Sequence, residues 1–295
     1  MQEVQAKQGV CFFAYNNSET DYIELACLAS MYVKEHLNLP VCLITDAGGE
    51  AWLYKSKENL VEKCFDYLIV TDDELKPNKR NNYDSPWHTF ETQFNNSNKH
   101  KVFEYSPFEQ TLLLDIDYIV KSNFLLNVFN TQGVAMFDCA VDVRNQQPLL
   151  GERFLSETGI KMWWSTVIYF DRSDISKLFF DTWAHVADNY EFYQYLYNFP
   201  RKVFRTDYCV SIVCHILNGM QDSDTVEKIP TQMINVSQKD DIVDVNNKNN
   251  WIILANDQKE HWKNILVNSS NTDIHVMNKR ALGRQDQKLV EMFNE

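Results

Sequence analysis

Four short apolar segments, each running into polar or acidic residues, restrict the fold of this 295-residue chain more than any other feature. They lie at residues 10–15, 41–45, 67–71 and 111–120. Each is rich in β-branched, aromatic or leucine residues, so we predict buried strands. Residues 22–37 separate the first two segments and carry apolar side chains at helical spacing. Strand, helix and strand in this order predict parallel strands joined by right-handed crossovers.

The rest of the chain continues this pattern. We predict further strands at residues 134–139, 167–170 and 251–254, and helices at residues 178–197, 207–217 and 285–293. Residues 73–101 are predicted as the longest irregular stretch, and the chain after residue 222 as poor in strands. The predicted fold class is α/β, a mostly parallel mixed sheet flanked by helices. We divide the chain into an N-terminal tail (1–9), a main domain (10–220) and a C-terminal extension (221–295) that packs back over the site.

Composition argues against several classes of protein. The net charge of −13 disfavours a protein that holds nucleic acid through a general positive field, although it leaves room for a local basic groove. Residues 1–9 lack the apolar core of a signal peptide, and no run of about 18 apolar residues occurs, so we expect no transmembrane segment. Seven scattered cysteines without a CxxC pair predict reduced thiols and a cytoplasmic protein.

Two acidic residues, Asp115 and Asp117, follow the most apolar strand segment. The predicted strand continues through them, so alternation places both carboxylates on one face. Ligands bind at the carboxyl edge of open parallel sheets, and paired carboxylates there suit Mn²⁺ or Mg²⁺. A bare D-x-D pattern also arises by chance, with one aspartate capping a turn and the other solvated.

The segment at residues 101–120, KVFEYSPFEQTLLLDIDYIV, resembles the stretch through the D-x-D motif of glycosyltransferases with the GT-A (Rossmann-like) fold, particularly the glycogenin-like galactosyl- and glucosyltransferases. Four other segments follow in that family's order: VCFFAYNN (10–17), KMWWSTVIYFDRS (161–173), RTDYCVSIVCHILNG (205–219) and DIHVMNKRAL (273–282). The chain departs from the family where Trp164-Ser165-Thr166 replaces Asn-Ser-Gly and where Tyr208 replaces glutamine. His275 and Lys279 are also closer together than the family's spacing.

The resemblance implies a metal-dependent transfer of a sugar from a nucleotide-diphosphate sugar, with UDP expected, to a hydroxyl acceptor. It implies a Mn²⁺ or Mg²⁺ site at Asp115, Asp117 and His275. The expected contacts to the donor are Tyr15 and Asn16 to the base and ribose, Lys279 to the diphosphate, and Trp164 to a sugar face. The expected catalytic residues are Asp207, near the transferring sugar, and Asp138, near the acceptor.

Each of these residues also has an ordinary structural interpretation. His275 and Lys279 would be solvated loop residues, Tyr15 and one of the paired tryptophans would be core residues, and Asp207 would cap a helix. Two basic clusters are interpreted as solvated surface charge: Lys76, Lys79 and Arg80; and Arg201, Lys202 and Arg205.

Several alternatives for the reaction stay open. The acceptor would be a saccharide, a lipid-linked sugar or a protein, or alternatively a nucleic acid such as a hydroxymethylated DNA base. A nucleotidyltransferase also uses strand-end carboxylates and a metal, although no Gly-rich phosphate loop follows the first strand. An inactive module that binds nucleotide sugars is the third class. Residues 73–101 or 238–250 are predicted to cover the donor.

Overall fold

The structure is a computed structural model that describes residues 6–56, 62–74, 78–95, 97–144, 153–156, 159–199, 203–221, 225–257, 260 and 262–294. The strands of these segments are β1 (Ala6–Phe13), β2 (Val41–Asp46), β3 (Tyr67–Thr71), β4 (Asn78–Tyr83), β5 (Thr89–Phe94), β6 (Phe108–Leu114), β7 (Tyr118–Ile119), β8 (Val134–Phe137), β9 (Ala140–Asp142), β10 (Trp164–Asp171), β11 (Glu227–Lys228), β12 (Met233–Val236), β13 (Asp241–Asn247), β14 (Asn250–Asn256), β15 (Asn264–Ser270) and β16 (Ile274–Val276). The α-helices are α1 (Tyr22–Leu37), α2 (Ala47–Ser56), α3 (Val102–Tyr105), α4 (Asp174–Asp188), α5 (Tyr190–Leu196), α6 (Thr206–Leu217) and α7 (Lys279–Asn294). Short 3₁₀ helices cover Lys99–Lys101 and Phe124–Asn130.

A seven-stranded mixed sheet forms the centre of the molecule, in the order β11-β8-β10-β6-β1-β2-β3. Its strand pairs are parallel except for the two made by β10, which runs antiparallel to both β6 and β8. The carboxyl ends of β1, β6 and β8 therefore share one edge with the amino end of β10. The predicted fold class, a mostly parallel mixed sheet flanked by helices, is confirmed.

The central strands are buried on both faces, which explains why their sequences are continuous runs of apolar residues. Along β6, Leu112 and Leu114 pack into one hydrophobic cluster and Leu113 into the other. The first cluster includes α1 and part of α7, and the second includes residues of α4, α5 and α6. Helices thus cover both faces of the sheet.

Strand β1 begins four residues before its predicted start, within the segment predicted as a tail. Ala6 pairs with Phe108, and Gly9 pairs with Thr111. A Cβ atom at Gly9 would lie 2.4 Å from the Phe108 ring. Glycine is therefore required here because the aromatic ring lies directly over the backbone.

A four-stranded sheet, in the order β7-β16-β12-β9, joins the middle of the chain to its C-terminal part. Strand β16 pairs with β7, which follows the D-x-D segment, and β12 pairs with both β16 and β9. Strands β13, β14 and β15 form a separate antiparallel sheet whose first strand contacts α7. The prediction that the chain is poor in strands after residue 222 was wrong, since β11 to β16 all lie there.

Other boundaries also differ from the predictions. The stretch at residues 73–101 contains the antiparallel hairpin β4–β5, so it is not irregular throughout. The single helix predicted at residues 178–197 is two helices, α4 and α5, which meet at Asn189. The last helix begins at Lys279, six residues before its predicted start. Strand β13 occupies most of residues 238–250, one of the segments predicted to cover the donor.

Candidate active site

The D-x-D segment forms a tight turn and does not continue the strand. Strand β6 ends at Leu114, and the Tyr118 amide donates to the Asp115 carbonyl at 2.9 Å. The Asp115 amide in turn donates to the carbonyl of Thr166 in β10 at 2.9 Å. The prediction that strand alternation aligns the carboxylates was therefore wrong, but the turn places Asp115 and Asp117 in the same pocket.

The small sheet brings His275 to these carboxylates. In β16, His275 is in register with Tyr118 of β7, and the Val276 amide donates to the Asp117 carbonyl at 2.7 Å. The imidazole Nε2 lies 3.5 Å from Asp117 Oδ1. One ligand atom from each of Asp115, Asp117 and His275 lies within 4.8 Å of the others.

A buried amide fixes the orientation of the histidine ring. Asn235 of β12 is in register with His275, and its Oδ1 lies 3.0 Å from His275 Nδ1. Both residues are 8% exposed. An amide oxygen only accepts hydrogen bonds, so Nδ1 carries the proton and Nε2 presents its lone pair toward Asp117. Two carboxylates and a neutral imidazole form a donor set that fits Mn²⁺ or Mg²⁺.

Each carboxylate of the pair is held by a lysine. Lys99 Nζ lies 2.5 Å from Asp115 Oδ1 and also donates to the Ser165 carbonyl at 3.0 Å. Lys279 Nζ lies 2.5 Å from Asp117 Oδ2. Lys99 is 6% exposed, and it begins a 3₁₀ helix that lies 16 residues before Asp115.

The two carboxylates differ in their electrostatic environment. Removal from bulk water raises the pKa of Asp115, and the nearby Asp117 adds to this, although Lys99 opposes it. Desolvation opposes charge on Asp117 as well, but the adjacent Lys279 ammonium group outweighs it and holds the pKa of Asp117 well below the ordinary value. In the same way Asp117 raises the pKa of Lys279 despite burial. Asp117 and Lys279 are therefore both ionised at neutral pH.

These residues lie in a cavity at the carboxyl edge of the central sheet, with a volume of about 180 Å³. Its described lining includes four cationic side chains and three carboxylates: Arg80, Lys99, Arg205 and Lys279, with Asp115, Asp117 and Asp207. With His275 counted as neutral, the charges of these lining side chains sum to +1. The whole chain, in contrast, has a net charge of −13. This local excess of positive charge favours an anionic ligand.

Three of the four predicted donor contacts line this cavity: Tyr15, Trp164 and Lys279. Tyr15 follows β1 at the sheet edge and is 6% exposed, and burial raises its pKa to about 12. Trp164 begins β10 and is 4% exposed, and its indole N–H finds no acceptor among the described residues. Asn16 is not part of the lining, and its Oδ1 accepts from the Ile23 amide in the first turn of α1 at 2.9 Å.

Asp138 lies in a neighbouring cavity at the same sheet edge, where Lys161 Nζ is 2.6 Å from its Oδ2 and Lys228 Nζ is 3.7 Å away. Trp163 faces this second cavity, whereas Trp164 faces the first. The second cavity has a volume of about 430 Å³. The structure thus separates Asp138 from the Asp115–Asp117 cluster.

Asp207 lies in the first turn of α6 but does not cap it. Its Oδ1 accepts from the Ser165 amide at 3.0 Å and from the Ser165 hydroxyl at 2.8 Å, and its Oδ2 lies 3.0 Å from Arg205 Nη2. Desolvation opposes its charge, but Arg205 and Ser165 outweigh this and lower the pKa of Asp207. The capping interpretation is wrong, and an ionised carboxylate lines the cavity.

Sequence reasoning missed several residues of this cavity. Arg80 and Arg205 were interpreted as surface charge, yet both line it, whereas Lys76, Arg201 and Lys202 lie outside the described residues. Lys99 and Asn235 had no signal, because a single lysine in a polar stretch and a single asparagine in a short strand carry no spacing pattern. Arg80 carried no signal either, because β4 (NKRNNY) is polar throughout and its sequence does not show which side chains face the cavity.

The hairpin β4–β5 forms one wall of the cavity. Arg80 Nη2 donates to the Phe204 carbonyl at 2.7 Å, just before α6. Asn82 Oδ1 accepts from Gln238 Nε2 at 3.0 Å, so the hairpin also contacts the segment before β13. Both segments predicted to cover the donor, residues 73–101 and 238–250, therefore contribute to the lining and contact each other.

No family model and no curated protein matches this chain. Among solved structures, the glycosyltransferase GlyE of Streptococcus pneumoniae is similar over 75% of this chain at 13% identity and a TM-score of 0.44. The galactosyltransferase LgtC, solved with donor and acceptor sugar analogues, is similar over 75% of this chain and 72% of its own, at 14% identity and a TM-score of 0.42. The bifunctional IspDF of Campylobacter jejuni is similar over 70% of this chain and 47% of its own, at 10% identity and a TM-score of 0.35.

The chain spans 45% of the length of GlyE. Because these similarities are low and extend to a protein not described as a glycosyltransferase, we infer function from the residues of the cavity. Among the described residues, no helix has the length and apolar character needed to cross a membrane.

Proposed function

We propose that this protein is a metal-dependent glycosyltransferase that moves a sugar from a nucleotide-diphosphate sugar, with UDP as the nucleotide, to a hydroxyl acceptor. The observation that carries the proposal is the convergence of Asp115, Asp117 and His275 within 4.8 Å at the carboxyl edge of the sheet. Open α/β sheets bind ligands at this edge. The local excess of positive charge suits the diphosphate.

Asp115, Asp117 and His275 would hold Mn²⁺ or Mg²⁺, which when bound neutralises the charge that develops on the leaving nucleotide diphosphate. Lys279 would contact the diphosphate as a point charge. Lys99 is fixed between Asp115 and the Ser165 carbonyl, so it orients the first carboxylate and adds positive charge near the bond that breaks.

The nucleoside would lie against Tyr15, at the end of β1. The Trp164 indole, at the start of β10, faces the same cavity and would contact the sugar through its face and its unpaired N–H. Asn16 supports this region by holding the first turn of α1, and we propose that any contact it makes to the ribose is secondary to that role.

Asp207 would orient the transferring sugar. Ser165 and Arg205 hold its carboxylate ionised and fixed, which is what a positioning contact to a sugar hydroxyl requires. Asp138 would contact the acceptor away from its reacting hydroxyl, because its cavity opens at the same sheet edge on the far side of β10.

The seven free cysteines favour a reducing compartment, and we propose that the protein acts in the cytoplasm. Six of them are buried in the core as small apolar residues.

Isothermal titration calorimetry with UDP tests the nucleotide site. We expect binding with Mn²⁺ that is lost with EDTA and in Asp117→Asn. Asp244→Asn is the matched control, since Asp244 lies on β13 in an exposed ion pair with Lys288 outside the cavity. Absence of UDP binding under every condition would remove UDP as the donor nucleotide.

Product analysis with a panel of UDP-sugars tests the reaction class. A glycosyltransferase releases UDP from these donors, whereas a nucleotidyltransferase cleaves them only when pyrophosphate is added and then releases UTP and a sugar 1-phosphate. UDP release that depends on Mn²⁺ and on an added acceptor sugar supports the proposal. Binding of UDP-sugars without turnover of any donor, in the presence of saccharide, lipid-linked and hydroxymethylated-DNA acceptors, would favour an inactive module.

A further inference from the structure

The second cavity, which contains Asp138, carries an excess of positive charge. Its described lining includes three cationic side chains and one carboxylate: Arg153, Lys161 and Lys228, with Asp138. With His215 counted as neutral, the charges of these side chains sum to +2. None of these residues belongs to the candidate metal site, so the excess is independent of a metal and its ligands. A cavity with this charge favours an anionic ligand.

Three strand ends bring these charges together at the carboxyl edge of the central sheet. Asp138 directly follows β8, and Lys228 ends β11, which runs parallel to β8. Lys161 precedes β10, whose amino end lies at the same edge. The Met162 amide donates to the Arg153 carbonyl at 2.8 Å, which holds Arg153 beside the segment that carries Lys161. The fold, and not a run of basic residues in the sequence, therefore assembles the cationic lining.

One carboxylate, Asp138, faces both lysines of this cavity. Lys161 Nζ lies 2.6 Å and Lys228 Nζ 3.7 Å from the same oxygen, Asp138 Oδ2. The Lys161 ammonium group also lies over the Trp163 ring, 4.9 Å from its centroid, which holds it at the cavity wall. A phosphate monoester carries a charge of about −1.5 to −2 and three acceptor oxygens, so it offsets the excess more completely than a second carboxylate.

On the basis of the proposed function, we propose that the second cavity binds the phosphate group of a phosphorylated sugar and that this sugar is the acceptor. The cavity volume of about 430 Å³ lies within the range of roughly 300–1,000 Å³ that is usual for small-molecule sites. Phe154, which is 39% exposed, supplies an apolar surface for the sugar ring. Arg153, Lys161 and Lys228 supply charge-assisted hydrogen bonds to the phosphate oxygens.

Helix α6 extends from the first cavity to the second. Asp207, in its first turn, lines the first cavity, whereas Ser211 and His215 line the second. At a rise of about 1.5 Å per residue, these two residues lie about 6 and 12 Å from Asp207 along the helix axis. The Ser211 hydroxyl donates to the Asp207 carbonyl at 2.6 Å, so the two linings are in direct contact. An acceptor held by its phosphate in the second cavity therefore extends its hydroxyl groups toward the transferring sugar in the first.

Cys139 provides a reporter for this cavity. All seven cysteines lie in the described part of the chain, and six of them are buried, whereas Cys139 is partly exposed and lines the second cavity. Iodoacetamide is uncharged and should alkylate Cys139 selectively at mildly alkaline pH, since burial raises the pKa of this thiol. Peptide mass spectrometry identifies the alkylated residue, and Cys139→Ser is the blank.

The protection of Cys139 by added ligands tests binding without any donor present. We expect glucose 6-phosphate or glucose 1-phosphate to slow alkylation of the full chain at concentrations at least about tenfold lower than glucose requires. Inorganic phosphate should also protect, whereas UDP, whose proposed site is the first cavity, should not. Sugar phosphates that protect no better than glucose would overturn the proposal. Protection by UDP but not by sugar phosphates would overturn it as well.

Two variants test the cationic lining. Lys161→Met and Arg153→Met should each raise the concentration of sugar phosphate that gives half-protection by about tenfold, because each removes a charged donor. Arg153 is exposed, so its replacement should not impair folding. Lys177→Met is the matched control, because Lys177 forms an exposed ion pair with Asp181 on α4, and it should have no effect. Unchanged half-protection in both folded variants would refute the assigned cations.

Transfer assays separate this inference from the proposed function and identify the source of the phosphate. With a UDP-sugar donor and Mn²⁺, we compare glucose, the soluble glucose phosphates and a sugar linked to a polyprenyl diphosphate in detergent. A lower KM for a phosphate-bearing acceptor supports the inference, and the acceptor with the lowest KM is the source. Transfer to neutral sugars without this preference would leave the function standing and overturn the inference.

Two other outcomes would also remove the acceptor assignment. Protection of Cys139 by sugar phosphates without transfer from any nucleotide sugar would leave an anion site and overturn the proposed function together with the acceptor role. Protection by hydroxymethylated DNA, with none by sugar phosphates, would overturn the phosphorylated sugar in favour of a nucleic-acid acceptor.

Discussion

The hydrogen bond between Asn235 and His275 gives the most specific prediction about the metal site. Replacing Asn235 with leucine keeps a side chain of similar size in β12 but removes the acceptor that lies 3.0 Å from His275 Nδ1. Two effects follow, one on the ring tautomer and one on the fold.

The tautomer effect acts on the metal. Without the amide acceptor, the proton is free to move to Nε2, where it donates to Asp117 Oδ1, 3.5 Å away, and blocks the lone pair that a metal needs. Loss of a hydrogen bond that orients a metal-binding histidine weakens metal binding by roughly 10–100-fold. We therefore expect the Kd for Mn²⁺, measured with saturating UDP, to rise by this factor, about 1.4–2.8 kcal/mol.

The fold effect is a stability cost. Both residues are 8% exposed, so a ring that keeps its Nδ1 proton leaves a buried donor unsatisfied. Such a group costs about 1–3 kcal/mol, which chemical denaturation without metal should detect. The stability loss and the affinity loss are separate measurements on the same variant.

Two control variants define what would refute this reasoning. Asn235→Asp keeps an acceptor in the same position and should bind Mn²⁺ within a few fold of the wild type. Asn268→Leu changes an exposed asparagine on β15 and should change neither quantity. If Asn235→Leu binds Mn²⁺ as tightly as the wild type while folded, the amide does not orient His275 for a metal.

Three further outcomes are expected. Gly9→Ala should destabilise the fold by about 1–3 kcal/mol in denaturant titration, because its Cβ would lie 2.4 Å from the Phe108 ring. The control Gly283→Ala changes a helical site with open space and should stabilise the fold by up to about 1 kcal/mol. Equal effects of the two substitutions on stability would contradict the packing argument. Burial lowers the pKa of Lys121 from 10.5 to about 7, so the unfolded chain binds more protons than the folded one between these two pH values. The free energy of unfolding should therefore rise with pH in this range, by at most about 1.4 kcal/mol per pH unit. Lys121→Met should lack this rise, and an unchanged pH slope in the variant would refute the argument. Tyr15→Leu should weaken UDP binding by about 1–3 kcal/mol in calorimetry if the ring stacks on the base, and unchanged binding would place the base elsewhere.

The elements that the sequence predicts well are those whose apolar residues form a continuous run or recur at helical spacing. Helix α1 and strand β3 have the predicted bounds, Tyr22–Leu37 and Tyr67–Thr71. The hairpin β4–β5 is missed because its strands, such as NKRNNY, are polar on both faces and leave no apolar pattern. Strand β13, DIVDVNN, is missed because a bulge interrupts its alternation.

The residues of the candidate site also divide into those that a sequence pattern indicates and those that it does not. Asp115 and Asp117 are detectable because two carboxylates directly after a buried run need a compensating partner. Lys99, which compensates the first, is not detectable, since its contact with Asp115 depends on the packing of a 3₁₀ helix against β10. The resemblance directs attention to His275 and Lys279, although no local pattern supports either.

The four-stranded sheet places the other residues of the candidate site beside the D-x-D turn. Strand β7 comes directly after Asp117, and its pairing with β16 places His275 there, while β12 supplies Asn235 on the other side of β16. Three of the side chains that act on Asp117, directly or through another residue, therefore come from the chain after residue 232: Asn235, His275 and Lys279. Such a site exists only in the folded protein, so a ligand that binds it should stabilise the small sheet and the central sheet together. A metal or nucleotide that raised the melting temperature without protecting the amides of β16 from hydrogen exchange would be bound elsewhere.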